Sequence, residues 1–284
     1  APYHGSAPPL AATLERISAH GTDDEIDISA RLGLPDEPGW TTVAGLARDT
    51  DLLGKMMDCI GRGYGMDNPA YSGTSLLRGY LWRMLTPAVA ALLVERRLPD
   101  LSAENVALRF GESGFAEDAA FIGLRFFVLP DDPEAGHPDA EVLLSEEALL
   151  DSMRAALSET HLPAIVPTLR GLRVRRGRRV LWRATADVCA EAFLFVGRGL
   201  GREEEACDLA EKFLAAPSPL SAPTNFRVLE YPGGSERTRV RHTCCLYYKL
   251  GNGCCFTCPR KTDEERVRQL AGVAAGALVG GEGS

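Results

Sequence analysis

Apolar and polar positions recur with helical period over most of this chain, and with strand period in only a few short runs. The first forty residues are punctuated by proline and glycine and hold one amphipathic stretch, Leu10–His20. Ala44–Ile60 reads as a helix closed by GlyArgGlyTyrGly at 61–65. Thr74–Leu98 places Leu76, Leu77, Tyr80, Leu81 and Met84 on one stripe. Pro87 is expected to kink or divide that helix, because proline lacks a backbone donor and crowds the preceding turn. Two runs have β character, Asn105–Phe110 and Ala120–Leu129, and suit a small antiparallel sheet. Residues 131–138 read as loop. Ser145 is placed to cap a helix through Glu159, and Val180–Val196 and Glu203–Ala215 read as two more helices. ProSerProLeuSerAlaPro (217–223) forms a linker or ordered loop, followed by extended pieces at Asn225–Tyr231 and Arg237–Arg241. Thr262 with Glu265 matches a capping box for a final helix, Asp263–Leu270, and the tail 276–284 reads as frayed. The expected fold is therefore α+β, predominantly helical, with a small antiparallel sheet and a cysteine-rich C-terminal segment. Its two parts are a mainly helical body, 1–223, and the segment 224–284.

Cysteine placement sharpens this picture. Of eight cysteines, five fall within fifteen residues: Cys244, Cys245, Cys254, Cys255 and Cys258. Cys59, Cys189 and Cys207 stand singly in apolar or helical stretches, as small buried hydrophobes commonly do. A chain of 284 residues buries a full core without cross-links, so the cluster needs a chemical reason. The N-terminal run AlaProTyrHisGlySerAlaPro has neither a basic nor an apolar signal region, so no secretory signal is read and a cytoplasmic location is expected. Long-lived disulfides are disfavoured in a reducing cytoplasm, leaving metal ligation by thiolates as the leading explanation. The longest apolar run, Leu76–Leu98, is interrupted by Arg78, Arg83, Pro87 and Glu95, so no transmembrane segment is expected.

Net charge is −8 but unevenly spread. Residues 1–165 hold 26 acidic against 12 basic side chains, a net of −14, and residues 166–284 hold 13 against 19, a net of +6. Six arginines crowd into 170–179, and more basic residues surround the cysteines: Arg237, Arg239, Arg241, Lys249, Arg260 and Lys261. Any one of these is ordinarily a solvated surface charge, but the asymmetry suggests that the cysteine-bearing half meets something acidic. Nucleic acid is not expected as a partner, since the pI is about 5.3 and no basic-aromatic module is visible.

Several motifs fail. GlyArgGlyTyrGly (61–65) and GlyArgGlyLeuGly (197–201) follow helical stretches rather than strands and read as helix-ending glycines, not phosphate loops. No nucleophile elbow or paired-carboxylate pattern stands out. The five histidines are dispersed; His242 lies close enough to Cys244 to serve as a ligand or a neighbouring donor, though an ordinary hydrogen-bonded role is the simpler reading.

A structural zinc site ordinarily pairs two Cys-x2-Cys knuckles. Here Cys255–Cys258 is one such knuckle, and its partner is the vicinal pair Cys244–Cys245. Adjacent side chains of an extended segment point apart, which suits two irons better than one zinc. Spacing alone thus favours iron–sulfur over zinc without excluding either. ArgHisThrCysCysLeuTyrTyrLysLeu followed by Cys-x2-Cys resembles the C-terminal signature of FhuF-type ferric siderophore reductases, Cys-Cys-x10-Cys-x2-Cys. SerGlyThrSerLeuLeuArgGlyTyrLeuTrp and ThrProAlaValAlaAlaLeuLeuVal agree loosely. The signature's likeness is specific over roughly 239–260 and diffuse elsewhere.

That resemblance implies a [2Fe–2S] cluster held by Cys244, Cys245, Cys255 and Cys258. Nine residues, not ten, separate Cys245 from Cys255, and Cys254 is an extra thiol. Cys254 is thus an alternative ligand, in a Cys-x3-Cys pair with Cys258, or a neighbouring free thiol. The resemblance further implies one-electron reduction of a ferric, hydroxamate-type siderophore, releasing Fe(II). No flavin or nicotinamide motif is present, so an external electron donor is expected, and a small acidic protein such as a ferredoxin suits the basic C-terminal half. Tyr247, Tyr248, Lys249 and Phe256 flank the cysteines and either shape the cluster's surroundings or serve as packing and surface residues. Two other readings stand beside this one: a zinc-stabilised interaction module, and an iron–sulfur redox or iron sensor.

Overall fold

The computed structural model describes residues 7–22, 26–251 and 253–274. The tail expected to fray, 276–284, and most of the N-terminal run AlaProTyrHisGlySerAlaPro lie outside them.

Helices supply most of the regular structure. The elements, in chain order, are α1 (Pro9–His20), β1 (Arg31–Leu32), β2 (Trp40–Thr42), α2 (Val43–Arg48), α3 (Thr50–Gly63), α4 (Pro69–Glu95), β3 (Leu98–Pro99), β4 (Val106–Phe110), β5 (Ala116–Phe121), β6 (Phe126–Val128) and β7 (Ala140–Val142). After these come α5 (Glu146–Ala155), a π-helical turn (Ala156–His161), α6 (Leu162–Gly171), α7 (Arg178–Gly199), α8 (Glu203–Ala215), the hairpin β8 (Phe226–Tyr231) and β9 (Gly234–Arg239), a 3-10 turn (Tyr247–Leu250) and α9 (Asp263–Ala274). The predominantly helical α+β class is what the pattern of apolar positions predicts.

The sheets are small and number three among the described residues. β1, β5, β4 and β2 lie side by side in that order, with β4 antiparallel to both neighbours and β1 parallel to β5. β6 pairs antiparallel with β3 and parallel with β7. The expected strand Ala120–Leu129 is thus two strands in different sheets, because residues 122–125 turn the chain away between them.

Other boundaries move for local reasons. The stretch Ala44–Ile60 breaks at Asp49, whose Oδ1 accepts from Leu52 N at 2.9 Å and starts α3, while Thr42 Oγ1 caps α2 through Gly45 N at 2.8 Å. Pro87 does not divide α4, which runs to Glu95. Nineteen of the 27 residues of α4 are buried, and packing on every side outweighs the roughly 3 kcal/mol an interior proline costs. Ser145 caps α5 as expected, its Oγ accepting from Ala148 N at 3.2 Å, but the helical path continues past Glu159 through the π-helical turn into α6.

α4 and α7 form the centre of the core. Leu77, Tyr80, Leu81, Met84 and Leu85 of α4 and Leu181, Val188, Cys189, Phe193 and Val196 of α7 are all buried within one continuous cluster. The glycines read as helix ends are that: Gly63 and Gly199 close α3 and α7, with Gly65 and Gly201 at positive φ just beyond. Gly197 has a second task, since a Cβ there would stand 2.2 Å from Ala206 Cβ, so α8 closes on α7 only over a bare backbone.

Candidate functional site

The cysteine segment is laid along α7, and two carboxylates one helical turn apart on that helix, Asp187 and Glu191, hold it. Asp187 is fully buried. Its Oδ1 accepts from Arg239 Nη2 at 2.5 Å and from His242 N at 2.8 Å; its Oδ2 accepts from Thr243 N at 3.1 Å and Thr243 Oγ1 at 2.8 Å. Burial alone would raise the carboxyl's pKa. The His242 ring, the Arg239 charge, and the His242 amide and Thr243 hydroxyl overcome it and hold Asp187 well below the usual carboxylate range. His242 Nδ1 lies 3.1 Å from Asp187 Oδ1, so this histidine is engaged with α7 rather than with a thiol. Glu191 accepts from Arg78 Nη2 of α4 at 2.6 Å and lies 3.4 Å from Arg239 Nη1.

The chain then delivers the thiols. Buried Arg241 donates through Nη2 to Cys245 Sγ at 3.5 Å and to Cys255 Sγ, and its Nε stands 4.0 Å from Glu191 Oε1 without a hydrogen bond. The two sulfurs are 3.9 Å apart. The hydrogen bond between them, helped by the Arg241 charge against the opposing effect of burial, pulls Cys245 well below the usual thiol range; the same hydrogen bond, with burial, pushes Cys255 up. Arg241 is itself held protonated: burial works against its charge, and Glu191 and the two sulfurs outweigh burial.

Downstream, residues 255–258 make a turn in which Cys258 N donates to Cys255 O at 3.1 Å, and Arg241 N donates to Thr257 O at 3.0 Å. Cys258 is buried. Arg266 of α9, 1% exposed, clamps this turn from below with Nε to Phe256 O at 2.9 Å and Nη2 to Cys258 O at 2.6 Å. The capping box expected at Thr262 is formed: Thr262 N donates to Glu265 Oε2 at 2.6 Å and Glu265 N to Thr262 Oγ1 at 3.3 Å. Cys244 accepts from Leu246 N at 3.4 Å, and its carbonyl accepts from Arg176. Cys254 is half-buried.

Two thiolates on one tetrahedral metal, each about 2.3 Å away, stand about 3.8 Å apart. The 3.9 Å between Cys245 and Cys255 fits that requirement, and a buried guanidinium over both suits a site that carries negative charge. The donor set is soft and all thiol, as zinc or iron–sulfur ligation needs. The structure thereby joins the vicinal pair to the Cys-x2-Cys knuckle, through Cys245 and Cys255. Among the described residues no three thiols, imidazoles or carboxylates converge on one point, so Cys244, Cys258 and Cys254 flank the close pair without completing a ligand set.

The scattered cysteines behave differently. Burial pushes Cys189 up to about 12 and Cys207 up to about 11, so both are inert hydrophobes, while half-buried Cys59 accepts from Arg62 at 3.2 Å. Of the flanking aromatics, Tyr248 lies beneath Arg260 with 4.3 Å between guanidinium carbon and ring centre, and Tyr247 packs on the core. Sequence reasoning missed Asp187, Glu191 and Arg266, and read Arg176 only as part of the basic run at 170–179. Two carboxylates spaced i, i+4 in an otherwise apolar helical run were the available signal for the first two.

Among the described residues no helix is long and apolar enough to cross a membrane. Among solved structures, the chain is similar to the aerobactin synthetase IucC from a hypervirulent pathotype of Klebsiella pneumoniae, with 14% identity and a TM-score of 0.38. That similarity covers 55% of this chain and 27% of the synthetase, so the chain spans about a quarter of that protein's length. A search of curated proteins finds no match. A family model described as "Ferric iron reductase FhuF-like transporter" matches residues 74–232, from the second turn of α4 to the end of β8 and short of all five clustered cysteines. With more than half its residues matched, the chain belongs to the FhuF-like ferric iron reductase family.

Proposed function

We propose that this chain is a cytoplasmic ferric-siderophore reductase that holds a [2Fe–2S] cluster through Cys244, Cys245, Cys255 and Cys258. The family brings the activity class, an oxidoreductase acting on ferric iron. The observation that supports the cofactor is the Cys245–Cys255 pair at 3.9 Å beneath the Arg241 guanidinium. When bound, the cluster supplies a one-electron couple. The chain's own residues then have four tasks. Asp187 and Glu191 anchor the strand that leads into the thiols, Arg241 offsets thiolate charge, Arg266 fixes the turn carrying Cys258, and the burial of Cys258 keeps that ligand from solvent. The substrate is a ferric hydroxamate-type siderophore: hard hydroxamate oxygens grip Fe(III) far more tightly than Fe(II), so one electron releases the metal. A ferredoxin-like protein is the electron donor.

Purified protein is expected to be reddish-brown, with about two irons and two sulfides per chain and visible absorption that bleaches on reduction. Adding a ferric hydroxamate to the reduced protein restores the colour. Colourless protein with a single zinc would replace this reading with the structural-zinc module, and a reduced cluster that no ferric siderophore reoxidises would favour a sensor. Cys258→Ser abolishes or severely alters the spectrum while far-UV dichroism stays helical, and Cys254→Ser leaves the spectrum as it is. A normal spectrum in Cys255→Ser would show that Cys254, paired with Cys258, belongs to the ligand set, and a normal spectrum in Cys258→Ser would show that the ligand register is wrong.

A further inference from the structure

The end of α6, the loop after it and the first turn of α7 carry six arginines in ten residues: Arg170, Arg173, Arg175, Arg176, Arg178 and Arg179. Among the described residues none of the six pairs with a carboxylate. Most arginines elsewhere do, among them Arg16, Arg31, Arg83, Arg97, Arg109, Arg125, Arg198 and Arg237. Five of the six are exposed. A run of like charge without counter-charges raises the energy of the free protein through self-repulsion, so its fixed presentation calls for a cause.

The loop is fixed at two points, Val174 and Arg176, and Arg178 is ordered within the start of α7. Val174 is buried and sits against Gly73 of α4, where a Cβ would come within 2.3 Å of Val174 Cγ2, so only glycine lets the loop close. Arg178 stacks over Trp182 with 5.3 Å between guanidinium carbon and ring centre. Arg176, the one half-buried member, turns inward and donates to the carbonyl of Cys244. The charges are thus presented by a rigid surface whose inner edge touches the backbone of a thiol residue.

We propose that the arginine-rich junction of α6 and α7, residues 170–179, is the docking surface for a small acidic one-electron carrier protein, seated beside Cys244. This rests on the reductase reading and adds to it the place where electrons enter. The carrier is oxidised by one electron and this protein is reduced by one; no bond is made or broken and no proton moves. Complementary charge with few fixed contacts gives fast, weak, salt-sensitive association, which suits a carrier that must leave after each turnover.

The test uses the triple variant Arg170→Gln, Arg175→Gln, Arg179→Gln in the holoprotein, with reduced plant-type [2Fe–2S] ferredoxin as probe. For the native chain, the rate of bleaching by ferredoxin should fall steeply between about 20 and about 300 mM salt. The triple variant should be reduced about tenfold more slowly at low salt, with a flattened salt dependence. Bleaching by dithionite and reoxidation by a ferric hydroxamate should match the native protein. Equal rates with ferredoxin for both proteins would overturn the proposal. So would a defect confined to reoxidation, which would assign the loop to an anionic ferric chelate. If the preparation held no cluster, the reductase reading would fail, and calorimetric titration with ferredoxin would still decide the surface: salt-sensitive binding lost in the triple variant supports it, and equal or absent binding overturns it.

Discussion

Arg241 is a buried cation whose guanidinium reaches two sulfurs on one side and approaches Glu191 on the other. A positive charge beside the thiolates stabilises whatever state carries more negative charge, which for a redox site is the reduced one. Arg241→Gln should therefore lower the midpoint potential. A contribution of about 1.4 kcal/mol corresponds to roughly 59 mV for one electron, measurable by a dye-mediated titration. An unchanged potential would mean that the guanidinium serves only to pack the segment. His161, far from the thiols in sequence, makes a separate prediction. It is fully buried in the π-helical turn, with Nε2 2.7 Å from Leu101 O and its ring stacked on Tyr80, and burial lowers its pKa to about 4. The unfolded chain takes up a proton near pH 6.5 and the folded one only near 4. Stability should therefore fall, by on the order of 3 kcal/mol, as pH drops through that window and level off below it. His161→Phe should flatten this part of the profile in urea melts taken across the range.

At the scale of elements, α9 acts on the site without contributing a thiol. Its first turn is set by the Thr262–Glu265 capping box and its second turn supplies Arg266, which holds Phe256 and Cys258 by their carbonyls. Thr262→Ala removes a cap worth about 1 kcal/mol. Opening of the Cys258 turn should become about fivefold more frequent, and iron loss to a chelator should accelerate in step while the visible spectrum of the intact protein stays the same. This helix was legible in the sequence because capping is a local contest between a few neighbouring groups. The strand Ala120–Leu129 was not, because its division depends on which sheet each half joins, and apolar content alone carries no such information. Pro87 shows the same limit: propensity argues for a break, and burial of α4 on all sides decides otherwise.

Across the whole molecule, the cysteine segment and the helical body meet through a buried ion pair, Arg239 with Asp187, both 1% exposed or less. Removing one partner of such a pair typically costs about 3–5 kcal/mol, since the remaining charge stays buried. Arg239→Met should lower the melting temperature by about 10 °C. A drop seen in far-UV dichroism would show that 1–223 and 224–284 melt together; increased thiol reactivity without that drop would mark 224–284 as an independent unit. The sequence displayed the thiols and the basic bias, because both are matters of composition and spacing. It did not display their acidic anchors, because Asp187 and Glu191 lie more than fifty residues upstream of the cysteines and resemble any polar pair on a helix.

The position of those anchors bears on how this site tolerates change in chain length. Arg239, His242 and Thr243 fix the chain just before Cys244 to α7, and Arg266 fixes it just after Cys255 to α9, so the two ends of the thiol-bearing stretch are held independently. The residues between Cys245 and Cys254 bear none of those tethers. A change of length there is taken up between the two tethers rather than passed on to them, which gives a physical reason why a nine-residue spacer still brings Cys245 and Cys255 face to face. One residue inserted after the 3-10 turn that ends at Leu250 should be tolerated, whereas one residue added between Thr243 and Cys244 should pull the sulfurs apart.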